Sequence, residues 1–154
     1  RFGGAEHATP PLMGPDDFDH LIVEYDTPLI DLCKSHGRKV AYHCHGNLRH
    51  ALKRFVEMGV DMTDPVETVP DGDLTIEEAR EIAGGELVLA GNIQCREIFS
   101  DSVPPLVIRE RTRELLKKAG PDRLLITTTG SIIEKISQPT CDKYHAMIDA
   151  VLEF

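Results

Sequence analysis

No apolar run in these 154 residues approaches the roughly 18 that a membrane-spanning helix needs. Basic residues are scarce. Seventeen Lys and Arg face 26 Asp and Glu, a net charge of −9, and no Lys/Arg cluster stands out. That balance disfavours a nucleic-acid groove and an anionic membrane surface. There is no CxxC among the four cysteines, and the chain is too large and core-rich to need a disulfide framework. Reduced thiols in a cytoplasmic protein are the expectation. Cys33 and Cys141 fall in helical patterns and are assigned to packing, whereas Cys44 and Cys95 fall near strand ends and stay as site candidates. Neither GxGxxG nor GxxxxGKS/T follows a predicted strand, so a nucleotide-binding α/β fold has no support. The first residues, Arg1 to His7, contain no apolar h-region, and no secretory signal is expected.

What is present describes one ordinary globular domain over residues 1–154. The chain is 41% hydrophobic and 28% charged, with 12 Gly and 10 Pro as punctuation. Residues 1–14 read as a Gly/Pro loop. Pro15-Asp16-Asp17 opens a helix to about Ser35, with acids in its first turn and a kink predicted at Pro28. Strands are predicted at 38–43, 60–63, 86–91 and 123–127. Helices follow them at 47–58 with Asn47 as cap, from Thr75 to Gly84, at 104–118 and at 139–152. Residues 92–103 read as a loop with a short turn. Strict alternation with short connections implies four parallel strands with helical crossovers. Both an open doubly wound sheet and a segment of a (β/α) barrel fit.

Unusual polar residues collect after each strand. The clusters are His43-Cys44-His45-Gly46-Asn47, Asp64-Pro65-Val66-Glu67, Gly91-Asn92-Ile93-Gln94-Cys95 and Thr127-Thr128-Thr129-Gly130-Ser131. Carboxyl ends of parallel strands are where α/β folds build their sites. His43 and His45 are two apart, so in strand geometry they share a face while Cys44 points away. With Glu67 from the next strand end they make a two-His, one-carboxylate set suited to Zn²⁺ or Fe²⁺. Substrate binding by the same histidines without metal is the alternative. Asn92, Gln94, Asn47 and Thr129 are candidate substrate-binding residues. Asp71-Gly72-Asp73 reads as a turn before a helix. Of the other histidines, His7 draws notice because it lies in the Gly/Pro loop.

The stretches GGAEHATPPLMGPDDF, KVAYHCHGN, GVDMTDPVET, VPDGDLTIEEAREIAGGELVLAGNI and LLITTTGSI, in that order, resemble the uroporphyrinogen decarboxylase superfamily. That superfamily includes cobalamin-dependent methyltransferases. The resemblance covers essentially the whole chain. It implies a TIM-type (β/α)8 barrel of which this chain is the carboxyl-terminal half, since a whole barrel takes about 250 residues. It further implies a partner for the open half barrel, either a missing amino-terminal half or a second copy in a dimer.

Within the superfamily, the segments typical of the decarboxylase are replaced by Gly91-Asn92-Ile93-Gln94-Cys95 and Thr129-Gly130-Ser131-Ile132. The methyltransferase branch resembles this chain more closely. Its members hold zinc with a His-x-Cys pair, in some relatives a Glu, and a later Cys. His43 matches the His and Glu67 the Glu by place. Position 45 is His instead of Cys, and there is no Cys near Thr128 to Gly130. The implied activity is methyl transfer between a corrinoid, free or on a corrinoid protein, and a small-molecule thiol or pterin acceptor. Zinc would serve as Lewis acid to the thiol. Tetrapyrrole decarboxylation in haem biosynthesis and a non-catalytic half-barrel module are the competing readings.

Overall fold

The computed structural model describes residues 1–131 and 135–154. Ile132, which closes the LLITTTGSI stretch, lies outside them. Four strands, β1 (Ala41–His43), β2 (Met62–Val66), β3 (Val88–Ile93) and β4 (Leu124–Thr128), form one sheet in the order β1-β2-β3-β4. Every pairing is parallel. Strand order equal to chain order, with a helical crossover between neighbours, is the winding of a (β/α) barrel. A doubly wound sheet reverses its order at a switch point. The fold is therefore α/β, four βα units of a partial TIM barrel.

Helices α1 (Pro15–Phe18) and α2 (Glu24–Ser35) precede β1 and are joined by a π turn at Asp19–Val23. Pro28 does not split the helix: it lies inside α2, and the π turn sits upstream at Asp19–Val23. A proline removes one helical N–H and crowds the carbonyl four residues before it, so the distortion falls on the preceding turn. Helix α3 (Arg49–Glu57) follows β1, α4 (Ile76–Ala83) follows β2, α5 (Cys95–Phe99) and α6 (Pro105–Ala119) follow β3, and α7 (Gln138–Leu152) follows β4. Helix α5 occupies what the sequence reads as loop.

The helix caps show how the strand-end loops are held. Thr75 caps α4 by accepting the Glu78 N–H, while the Glu78 carboxylate accepts the Thr75 N–H. This reciprocal box is legible in the sequence. Asn47 does not cap α3, whose cap position is Leu48. The free Arg49 N–H is instead met by Asp73 Oδ1 at 3.1 Å, from the loop before α4. The cap thus comes from a residue 24 positions away, which local pattern cannot show.

The core lies between the sheet and its helices. Leu89 and Ile93 of β3 face it, with Leu52, Phe55, Ile108 and Leu115 from the helices. Tyr42 stacks on Phe55 with ring centroids 4.4 Å apart, and its hydroxyl donates to Asp26. Burial first, and then Asp26, push the Tyr42 phenol above its ordinary pKa. Phe2 pairs with Tyr42 in parallel and extends the β1 edge. No helix among the described residues is long and apolar enough to cross a membrane.

Candidate functional site

The β1 and β2 ends carry the densest polar cluster. His43 closes β1, and alternation continues through the next two residues. His43 and His45 are half-buried with their rings 4.7 Å apart and nearly perpendicular, while Cys44 turns into the core at 0% exposure. Burial, and then the nearby Glu6 and Glu67 charges, raise the Cys44 thiol well above its ordinary pKa. Cys44 is a protonated core thiol.

Glu67 is fixed at two points. Its Oε2 accepts the Gly46 N–H at 2.7 Å, and its Oε1 lies 3.3 Å from His45 Nδ1. Gly72 is what allows the loop carrying Glu67 to close. A Cβ at position 72 would sit 2.2 Å from the Glu67 carbonyl oxygen and 3.1 Å from that of Gly46. The Asp71-Gly72-Asp73 turn is thus a close backbone packing element under the site. Beside it, Arg1 donates to Asp64 Oδ2 at 2.6 Å and its Nη2 lies 2.8 Å from His43 Nδ1. His43 Nδ1 also lies 3.2 Å from Asp64 Oδ2, so Arg1, Asp64 and His43 form one polar cluster.

A zinc ion on His43, His45 and Glu67 needs three donor atoms converging at about 2.0–2.3 Å from one point. The contacts of both rings run through Nδ1, His43 with Arg1 and Asp64 and His45 with Glu67, while Glu67 Oε2 accepts a backbone N–H. Among the described residues, no group of three or more His, Cys, Asp and Glu side chains is placed to hold a metal ion. The three residues come together at the β1 and β2 ends as sequence reasoning expects.

The remaining candidates fall elsewhere. Thr129 is buried at the end of β4, where its hydroxyl accepts the Cys95 N–H at 3.1 Å and lies 3.5 Å from Gln94 Oε1. It ties the β4 end to the start of α5. A Cβ at Gly130 would lie 3.0 Å from Cys95 Sγ, so this thiol packs against the β4 loop. Asn47 is half-buried beside the His45 turn, and His7 is exposed. Asn92 and Gln94 do not join the histidines. They line a separate cavity of about 620 Å³ with the first turn of α4, α5 and α6. Three cations (Arg96, Arg111, Lys118) and three carboxylates (Glu77, Glu97, Glu114) border it. Two residues were not foreseen. Arg1 covers His43, and Lys143 in α7, 1% exposed, donates to the carbonyls of Ile98 and Ser100 at the end of α5. An Arg at position 1 and a lone Lys in a helix leave no pattern to read.

Four sequential parallel strands with helical crossovers define a partial (β/α)8 barrel, with the polar clusters at its strand-end face. The profile described as uroporphyrinogen decarboxylase (URO-D) matches residues 5–154, and the chain belongs to this family. It is 26% identical over 146 residues to a uroporphyrinogen decarboxylase of Christiangramia forsetii, an alignment covering 93% of this chain and 38% of that protein. A solved methyltransferase from Methanosarcina mazei superposes with a TM-score of 0.71 at 21% identity, covering 96% of this chain and 40% of that one. The chain thus spans about two-fifths of the length of the relatives it matches.

Proposed function

We propose that this chain is part of a methyltransferase of the URO-D superfamily that moves a methyl group between a corrinoid and a thiol or pterin acceptor. The observation that carries the reading is the state of the strand-end arginines. Arg1 is held by Asp64, Arg49 by Glu78 and the Asp73 carbonyl, and Arg96 by Asp71. Each of these three guanidiniums is already matched by a carboxylate, so none of them is free for the acid groups of a polycarboxylate tetrapyrrole. A corrinoid methyl group presents no such charge.

In this reading the corrinoid supplies the transferable methyl group. The chain's own residues position the acceptor. The His45–Glu67 pair borders the place where the acceptor's proton leaves, and Glu67 is kept in place by Gly46. His43, screened by Arg1 and Asp64, forms the second wall. The localisation that accompanies this reading is cytoplasmic.

The curated relative favours a second reading, uroporphyrinogen decarboxylation. The natural protein is to be incubated with methylated corrinoid and a thiol or a reduced pterin, and in parallel with uroporphyrinogen. Acceptor-dependent loss of the methyl–cobalt absorbance supports the first reading. Turnover of uroporphyrinogen in its place supports the second.

A further inference from the structure

We propose that the cavity between α4 and α6 is a binding site for an uncharged, planar heterocycle with a lactam edge. The cavity's size of about 620 Å³ is in the range of small-molecule sites. None of His43, His45 and Glu67 lines it. Its charges cancel, three against three. Two of the cations are already paired, Arg96 to Asp71 at 2.7 Å and Arg111 to Glu97 at 2.9 Å. Of the remaining lining charges one is a cation, Lys118, and two are carboxylates, Glu77 and Glu114, so an anionic ligand meets no surplus of positive charge. Leu74, Ile76 and Leu115 supply apolar walls, and all three are buried. Apolar walls suit a flat ring.

Gln94 gives the orientation. It is 8% exposed, and its Nε2 has no hydrogen-bond partner among the described residues. A shielded carboxamide donor left unmatched costs about 1–3 kcal/mol. The terminal torsion of a Gln is soft, so a small rotation presents the amide to a ligand in the cavity. A carboxamide offers donors and an acceptor side by side, and a lactam presents the complementary pair. Asn92, two residues earlier, places a second carboxamide residue on the cavity wall. A buried amide that reads such an edge discriminates strongly against a ligand that lacks it.

The inference rests on the cavity and not on methyl transfer, so the two fail separately. Calorimetric titration of the chain with hypoxanthine and with purine tests it, since the two rings differ only in the lactam edge. The expected result is saturable binding of hypoxanthine, at least about tenfold tighter than purine. Gln94→Glu, nearly the same shape, is expected to lose at least about tenfold in hypoxanthine affinity. Val69→Trp, at an exposed rim position of the cavity, is expected to weaken binding without touching the core and serves if Gln94→Glu does not fold. Equal binding of the two rings, no saturable binding, tighter binding of benzoate, or full affinity in both variants overturns the proposal.

Discussion

Glu67 holds Gly46: one carboxylate oxygen accepts the Gly46 N–H at 2.7 Å, and the other faces His45. The contact joins the β1 and β2 ends and sets the spacing of the candidate site. Glu67→Gln keeps an acceptor for Gly46 but removes the charge. The folded state is expected to survive, with methyl transfer reduced about tenfold or more. Glu67→Ala leaves the Gly46 N–H unmatched and should lower stability by about 1–3 kcal/mol in urea unfolding. Equal activity in Glu67→Gln and the parent would remove Glu67 from the site.

Gly72 is the second structural condition for that spacing. Its Cβ position is occupied by the Glu67 carbonyl, so Gly72→Ala forces the loop apart. Expected outcomes are a lower melting temperature and loss of activity together. An unchanged melting temperature would show that the Glu67 loop can move freely.

Lys143 supports α5 from beneath. Lys143→Met retains the apolar stem and removes the donor to the Ile98 and Ser100 carbonyls. A destabilisation of about 1–3 kcal/mol is expected from the unmet carbonyls. Chemical denaturation of the two proteins provides the check. A stability change below about 0.5 kcal/mol would mean that the carbonyls find other partners.

Asp19 gives the acid limb of stability a specific residue. Its hydrogen bond with the Arg54 guanidinium is the largest effect and holds its carboxyl below the ordinary value, with burial opposing and His50 assisting. A depressed carboxyl contributes stability above its unfolded pKa, about 3.9, and loses it as pH falls through the folded value. Asp19→Asn should therefore lower stability at neutral pH and flatten its decline below about pH 4. The readout is the unfolding midpoint between pH 3 and pH 7. An unaltered slope would contradict the assignment.

Cys44 should be inert. A protonated core thiol does not alkylate, so iodoacetamide at pH 8 should leave Cys44 unmodified in the folded chain and modify it in denaturant. Peptide mass spectrometry distinguishes the two. Fast labelling of Cys44 in the folded state would return it to the candidate site.

The alternation of strands and helices, the parallel pairing and the strand-end position of the polar clusters were all legible from periodicity and punctuation. The alternation around Cys44 was legible too, because a period of two is a property of the backbone. What escaped was non-local. Asp73 capping α3, Lys143 bracing α5 and Arg1 screening His43 each join residues more than 20 positions apart. The separation of Asn92 and Gln94 from the histidines was hidden for the same reason, since it depends on α6 lying beside α4. The proximity of His43, His45 and Glu67 could be foreseen. Their individual contacts with Arg1 and Gly46 could not.

The central claim is methyl transfer at a strand-end face whose arginines are already paired. It is tested most directly by following the methyl–cobalt absorbance of a methylated corrinoid with the natural protein and a thiol or pterin acceptor. The account predicts acceptor-dependent demethylation, reduced about tenfold or more by Glu67→Gln, and no decarboxylation of uroporphyrinogen. Turnover of uroporphyrinogen with an inert corrinoid would contradict it.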